Sequence, residues 1–297
     1  MFLKVFVTVF IIIVLVLSLS FEVDKYALTL EDEAFNRALV SFGLAKGLNA
    51  VISLLQGTEL SFTPIGVGLN FSVGEVLDPF NDMVERFSWI MLAATVSIGI
   101  QKIILTLSAT IFMQVAFAVS ISASLFLLWS KTIQIHSFTS FIFKSFLLLL
   151  VLRFSAIIFM LFVSLIHTSV LEVEYKQANK IVQETKIQLD SLNQQNQTLA
   201  REQKEDGFFS GLSSKYDAVF EKLNIEEKLH SLETSIDTAS NNIITLITIF
   251  IVETILMPLL YFWLLLASIK YIFRFKLDTY LNKVLYNSQN KLNKGLI

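Results

Sequence analysis

The chain contains no cysteine, and it has only three prolines and ten glycines among its 297 residues. The lack of cysteine excludes disulfides, thiolate metal sites, iron–sulfur clusters and a cysteine nucleophile. No proline lies between Pro79 and Pro258. Because proline is the residue that most strongly interrupts helices, long uninterrupted helices are possible throughout that stretch.

Charged residues are also scarce. They make up 16% of the chain, whereas 54% of the residues are hydrophobic and 27 are Phe. A soluble core of this size needs fewer apolar residues and more charge, but helices that face lipid are apolar all round. The net charge of -2 gives no indication of a nucleic-acid partner. We therefore expect an integral membrane protein whose surroundings are a lipid bilayer.

Apolar runs predict about four transmembrane helices in a mostly α-helical fold. The runs cover about 5–20, 104–129, 141–168 and 244–269. The first run is a signal anchor or a signal peptide: its length favours an anchor, whereas Ser18 and Ser20 favour cleavage. Asp78-Pro79 resembles a helix start, so one continuous helix over 79–130 is expected to include the second run.

The segment between the first two runs, 22–103, is predicted to lie outside the cytoplasm. Apolar residues recur at helical spacing over 33–56, which predicts an amphipathic helix. Gly43 and Gly47 lie one turn apart on this helix. They either allow a second helix to approach closely, or are glycines that the helix tolerates without a special role. Alternation of apolar with small or polar residues predicts a β-hairpin near 59–75.

A polar region, 171–242, separates the third and fourth runs. Apolar residues follow steps of four and three from Leu171 to Leu199, which is a heptad seam, and the pattern resumes between Leu229 and Ile243. Glycines at 207 and 211 mark a turn between the two stretches. The pattern predicts an extracytoplasmic antiparallel helical hairpin, that is, a coiled-coil stalk.

The distribution of charge predicts the orientation. Residues 171–242 carry 13 acids against 8 bases, whereas 270–297 carry six bases against Asp278. Positive flanks stay in the cytoplasm, so both termini are expected there unless residues 1–20 are cleaved. The frequent Ile, Asn and Lys are typical of AT-rich bacterial genomes, which suggests the bacterial inner membrane.

Two charged residues fall inside predicted spans, Arg153 in the third and Glu253 in the fourth. Both are expected near mid-membrane, where charges are costly and often functional. We expect them to pair, either as a lock between two spans or as part of an ion or proton pathway. Gln114 is expected to hydrogen-bond between helices.

Nothing in the sequence predicts an enzyme or a cofactor. His136, His167 and His230 are too scattered for a local metal site and are expected at interfaces or on the surface. The chain has no nucleophile elbow, phosphate loop or metalloprotease helix. Phe208 and Phe209 at the hairpin turn form a possible docking tip.

The basic tail is expected to lie on lipid, because its lysines flank an apolar helical face. Its residues facing lipid headgroups are Lys270, Arg274, Lys276 and Lys283. The expected segments are 1–21 (signal anchor or peptide), 22–103 (extracytoplasmic), 104–170 (two spans), 171–242 (stalk), 243–272 (fourth span) and 273–297 (tail).

Two functions are compatible with these features. The first is a non-enzymatic envelope scaffold or assembly subunit that contacts partner proteins, or copies of itself, through the stalk. The second is an oligomeric ion channel or transporter subunit that uses the Arg153 and Glu253 pair. Four spans are few for a single transporter, so the second function requires a homo-oligomer or a larger complex.

Overall fold

The structure is a computed structural model that describes residues 2–57, 73–129, 136–205 and 214–274. Within these ranges every residue except Ser20 and Thr110 is helical, and no strand occurs. The α-helices are α1 Phe2–Leu19, α2 Phe21–Gly57, α3 Val73–Ala109, α4 Ile111–Trp129, α5 His136–Ile166, α6 Glu172–Glu205, α7 Ser214–Ile251 and α8 Met257–Arg274. Two short π-helices, His167–Leu171 and Val252–Leu256, precede α6 and α8.

Among the described residues, four helical stretches are long and apolar enough to cross a membrane: Phe21–Gln56, Leu77–Ala109, Ser140–Gln194 and His230–Arg274. The last two contain the predicted spans 141–168 and 244–269. The other two lie mostly in the segment that we expected outside, whereas the predicted first and second spans correspond to shorter apolar helices, Val5–Leu19 and Ile111–Leu127. The number of candidate spans in the described part of the chain therefore agrees with the prediction, but the identity of two of them differs.

The predicted continuous helix over 79–130 is wrong because the chain breaks at Thr110. The Thr110 hydroxyl accepts a hydrogen bond from the Met113 amide at 3.4 Å and donates one to the Leu107 carbonyl at 2.8 Å. Threonine is a good N-cap because its oxygen can satisfy an amide in the first turn of the next helix. Thr110 therefore ends α3 and starts α4.

The expected helix start at Asp78-Pro79 is also wrong. Helix α3 begins at Val73 and contains Pro79 in its interior. Asp78 accepts a hydrogen bond from the Gln56 side chain at 2.7 Å, so it links α3 to the end of α2. The β-hairpin expected near 59–75 lies outside the described residues, except that 73–75 are helical.

The chain divides into two compact units. The first comprises 1–34, 98–166 and 256–297, and the second comprises 35–97 and 167–255. In the first unit, α1 and α5 both pack against α4, and α8 packs against α5. A core of Ile11, Phe117, Ile121 and Phe146 fills the space among α1, α4 and α5. The Phe117 and Phe146 rings stack with centroids 5.9 Å apart.

In the second unit α6 packs against α7. Buried residues at or near the predicted seam positions are Tyr175, Ala178, Val182, Thr185 and Leu189 on α6, and Leu232, Ile236, Ala239 and Ile243 on α7. The Tyr175 ring near the start of α6 meets the Phe250 ring near the end of α7. The turn between the two helices lies outside the described residues.

The two glycines of α2 differ in their surroundings. A Cβ at Gly43 would meet nothing within 4 Å, whereas a Cβ at Gly47 would lie 2.7 Å from Cε of Lys186. Gly47 is therefore in close contact with a flexible side chain of α6, and Gly43 is simply an exposed helix glycine.

We expect Gly43→Ala to raise the free energy of unfolding by about 0.5–1 kcal/mol, because alanine loses less backbone entropy in a helix. Gly47→Ala should gain less, since Lys186 must move aside. Thermal unfolding of the purified full-length variants would compare the two. Equal gains would show that the contact between Gly47 and Lys186 imposes no constraint.

Candidate functional site

The first candidate site is a buried ion pair in the first unit. Arg153 of α5 donates from Nη1 to Oδ1 of Asp24 at 2.7 Å and from Nη2 to Oδ2 at 2.6 Å. The side chains are 1% and 4% exposed, respectively. Two parallel hydrogen bonds between a guanidinium and a carboxylate fix both distance and orientation. The pair therefore holds the beginning of α2 against the middle of α5.

Two further groups complete this site. Nη2 of Arg153 also donates to the Ser18 carbonyl at 2.9 Å, and the Gln114 amide donates to Asp24 at 3.3 Å. Ser18 lies in the last turn of α1, where carbonyls lack helical partners, so the guanidinium satisfies one of them. The site joins α1, α2, α4 and α5, and it confirms the expected interhelical bond of Gln114.

The predicted pairing of Arg153 with Glu253 is wrong, because each residue has another partner. Arg153 binds Asp24, and Glu253 binds His167. Both residues are buried, as expected for charges inside spans, at 0% and 5% exposure. Asp24 was missed because charge counting treated every acid of 22–103 as exposed. The sequence feature that could have indicated a buried Asp24 is its position directly after the apolar run 5–20.

The second candidate site, in the second unit, is the buried pair of His167 and Glu253. Nδ1 of the imidazole lies 2.6 Å from Oε1 of the carboxylate, and the side chains are 6% and 5% exposed. His167 is buried, so the expectation that it lies on the surface is wrong. The contact with Glu253 joins residues 86 apart in the chain, and local spacing gives no sign of it.

Aromatic and polar side chains enclose the second site. The Tyr175 ring meets the His167 ring edge to face, with centroids 5.9 Å apart. The Tyr175 hydroxyl lies 3.4 Å from the Ser41 hydroxyl and donates to the Arg37 carbonyl at 3.5 Å. Tyr175 is a predicted seam residue. It therefore packs the seam and also covers the imidazole from one side.

Each partner of this pair lies in a π-helix. His167 begins His167–Leu171, and Glu253 belongs to Val252–Leu256. The second π-helix ends at Leu256, two residues before Pro258. Pro258 has no N–H to give the Thr254 carbonyl four residues earlier. The Ser97 hydroxyl donates to that carbonyl at 2.8 Å instead. Short π-helices of this kind are frequent at functional sites.

The remaining predicted site residues are either exposed or outside the described ranges. Lys270 and Arg274 are exposed on α8. Lys276, Lys283, Phe208 and Phe209 lie outside the described residues. No group of three or more metal-binding side chains occurs in the described part of the chain. Each of the two buried sites joins helices through direct contacts between charged or polar side chains.

No family model, curated protein or solved structure matches this chain. The function is therefore argued from the geometry of the chain itself.

Removing one partner of the Arg153 and Asp24 pair should be more harmful than removing both. Arg153→Met or Asp24→Leu alone strands a buried charge, which costs about 3–5 kcal/mol. The double variant should recover much of that loss. Thermal unfolding in detergent would measure the coupling, and strictly additive losses would contradict it.

The exposed pair of Lys102 and Asp32, whose side chains are 42% and 52% exposed, is the control. The corresponding changes there should cost less than about 1 kcal/mol.

Removing Glu253 should destabilise the second unit. Glu253→Leu leaves Nδ1 of the buried His167 ring without its partner, which should cost about 1–3 kcal/mol. Thermal unfolding of the full-length protein in detergent would measure the loss. Glu172→Gln, which removes the partner of the exposed Lys176, is the control and should cost less than about 1 kcal/mol. Equal losses for the two variants would show that the buried contact contributes nothing beyond a surface pair.

Proposed function

We propose that the protein is a non-enzymatic scaffold or assembly subunit of the bacterial inner membrane. Its α6 and α7 helices would form an extracytoplasmic stalk that contacts partner proteins or copies of the same chain. The observation that carries this proposal is the packing of α6 against α7 along buried residues, with exposed positions such as Ile187 on α6. Closed, mutually satisfied ion pairs support it further, because such pairs fix helices in one arrangement.

Contacts within the first unit support the proposed orientation. Lys144 near the start of α5 donates to the Phe273 carbonyl at the end of α8, at 3.3 Å. Trp129 at the end of α4 donates to Thr8 near the start of α1, at 3.2 Å. Each contact joins two helix ends that are both predicted to lie on the cytoplasmic side.

The packing of α1 supports its retention as a signal anchor. Ile11 is 2% exposed in the core of the first unit, and the Ser18 carbonyl binds Arg153. Cleavage after Ser20 would separate α1 from α2, and loss of α1 would expose Phe117 and remove an acceptor from a buried guanidinium. Both consequences are unfavourable.

An exposed apolar residue on the polar α6 helix provides a test of the stalk. The Ile187 side chain is 59% exposed and lies off the seam. If the outer face of α6 makes the contact, Ile187→Glu should reduce the mass of the purified assembly, measured by native mass spectrometry. Gln177→Glu adds the same charge to an exposed position of α6 that is ten residues from Ile187, and it should have no effect. An unchanged mass for both variants would contradict a contact at this face.

The absence of native cysteine allows the orientation to be tested in the same protein. Single cysteines at Gln183 and Ser288 can be labelled in intact cells with a maleimide that does not cross membranes. The proposed orientation requires labelling at 183 and protection at 288. The reverse pattern would contradict it.

A channel or transporter subunit is the alternative function. The observation that favours it is the burial of ionisable pairs in helices of membrane-spanning length, because such residues often mark ion or proton pathways. Ion flux in proteoliposomes discriminates between the two functions. Flux would be expected of a channel and not of a scaffold.

A further inference from the structure

Two helices of the second unit, α2 and α3, share an exposed apolar surface. They run antiparallel, because the exposed Lys46 ammonium lies 6.0 Å from the centre of the exposed Trp89 ring and the Gln56 amide donates to Asp78 at 2.7 Å. Since Lys46 and Trp89 are both exposed and meet, the exposed faces of the two helices adjoin. Five large apolar side chains on these faces are 37–63% exposed, and we name them the α2–α3 patch: Leu39, Val40, Trp89, Leu92 and Val96. An exposed apolar patch that spans two helices is typical of an interaction surface.

The patch lies at the same level of the second unit as the first half of α6. The Ser41 hydroxyl lies 3.4 Å from the Tyr175 hydroxyl. A Cβ at Gly47 would lie 2.7 Å from Cε of Lys186. Helix α2 therefore runs alongside α6 in the same direction, so that 41–47 lies next to 175–186.

The charges of α6 at this level argue against lipid as the partner of the patch. Lys180 pairs with Glu184, and the side chains are 75% and 62% exposed. Lys176 is 71% exposed and pairs with Glu172. A bilayer at this level would surround the whole unit and would have to accommodate these exposed charges, which is costly. The patch therefore fits a protein surface better than acyl chains.

The charged residues that border the patch indicate which protein surface fits it. Lys46 and Arg86 are exposed and positive, whereas Asp82 and Glu85 are exposed and negative. A border with two charges of each sign is complementary to a second copy of itself, because a two-fold rotation can place the positive side chains of one copy opposite the negative ones of the other.

We propose that the α2–α3 patch is an interface with a second copy of this chain. Both copies enter one bilayer in the same orientation, so the two-fold axis runs along the membrane normal and α3 lies parallel to its counterpart. Residues near that axis then contact their own counterparts, and Leu92 and Val96 are the candidates on α3. The interface goes beyond the proposed function, because it uses α2 and α3 rather than the outer face of α6, and it applies equally to a channel subunit.

Oxidative crosslinking of single-cysteine variants in native membranes tests the proposal, because the chain has no cysteine of its own. A disulfide needs Cα atoms within about 7 Å of one another, so only residues close to the axis can join two copies. We expect Leu92→Cys or Val96→Cys to give a disulfide-linked dimer on a non-reducing gel. Asp237→Cys, at an exposed position of α7, is the control and should remain monomeric. Dimers at none of the three positions, as lipid on the patch would give, or equal yields at all three, would overturn the proposal.

A charge in the middle of the patch tests the same interface in the purified full-length protein. Leu92→Glu places two carboxylates near the axis, where like charges are strongly unfavourable. We expect the dissociation constant of the dimer, measured by native mass spectrometry over a dilution series, to rise by more than about tenfold. Thr238→Glu adds the same charge to an exposed position of α7 and should leave that constant unchanged. An unchanged constant for Leu92→Glu would overturn the proposal.

Comparison with Ile187→Glu separates this interface from the contact proposed for α6. Loss of the dimer in Leu92→Glu alone supports the α2–α3 patch and contradicts a contact of α6. Loss of assembly mass in Ile187→Glu alone supports the α6 contact and overturns the α2–α3 interface. Thermal unfolding of both variants verifies that they are folded, and the crosslinks of Leu92→Cys and Val96→Cys decide the question if Leu92→Glu is not.

Discussion

The buried pair of Arg153 and Asp24 is the interaction on which the first unit depends. A guanidinium and a carboxylate that are 1% and 4% exposed must satisfy one another, because neither can retain its water. Their geometry also involves the end of α1 through Ser18 and the first turns of α4 through Gln114. Nε of Arg153 is buried and has no acceptor within the described ranges. The cost of removing this N–H from water therefore offsets part of the stabilisation that the ion pair provides.

The second unit combines a regular seam with two irregular helical turns. The seam needs only apolar residues at heptad spacing, but His167 and Glu253 lie where the helices widen into π-helices. Pro258 explains the irregularity before α8, since it deprives the Thr254 carbonyl of its usual donor and Ser97 takes that place. The irregular turns thus coincide with the buried pair of His167 and Glu253.

Much of the secondary structure was predictable from periodicity and apolar length. The third and fourth candidate spans and the helical character of 33–56 were identified this way. The break at Thr110 was not, because a threonine inside an apolar run gives no strong local signal and acts as a cap only where the chain turns. Helix α2 was excluded as a possible span because its acids were all counted as solvated. Asp24 and Glu31 are in fact buried.

The sequence by itself determined that the chain forms long apolar helices, a heptad-patterned helix pair and two charged residues that had to be buried. These properties depend on spacing within one segment, where each residue's neighbours are known from the chain order. Only the tertiary structure decided which charges meet. Arg153 and Asp24 are 129 residues apart, and His167 and Glu253 are 86 apart. A partner at that distance is selected by which helices pack together, because a buried charge binds whichever group the packing brings within hydrogen-bonding distance.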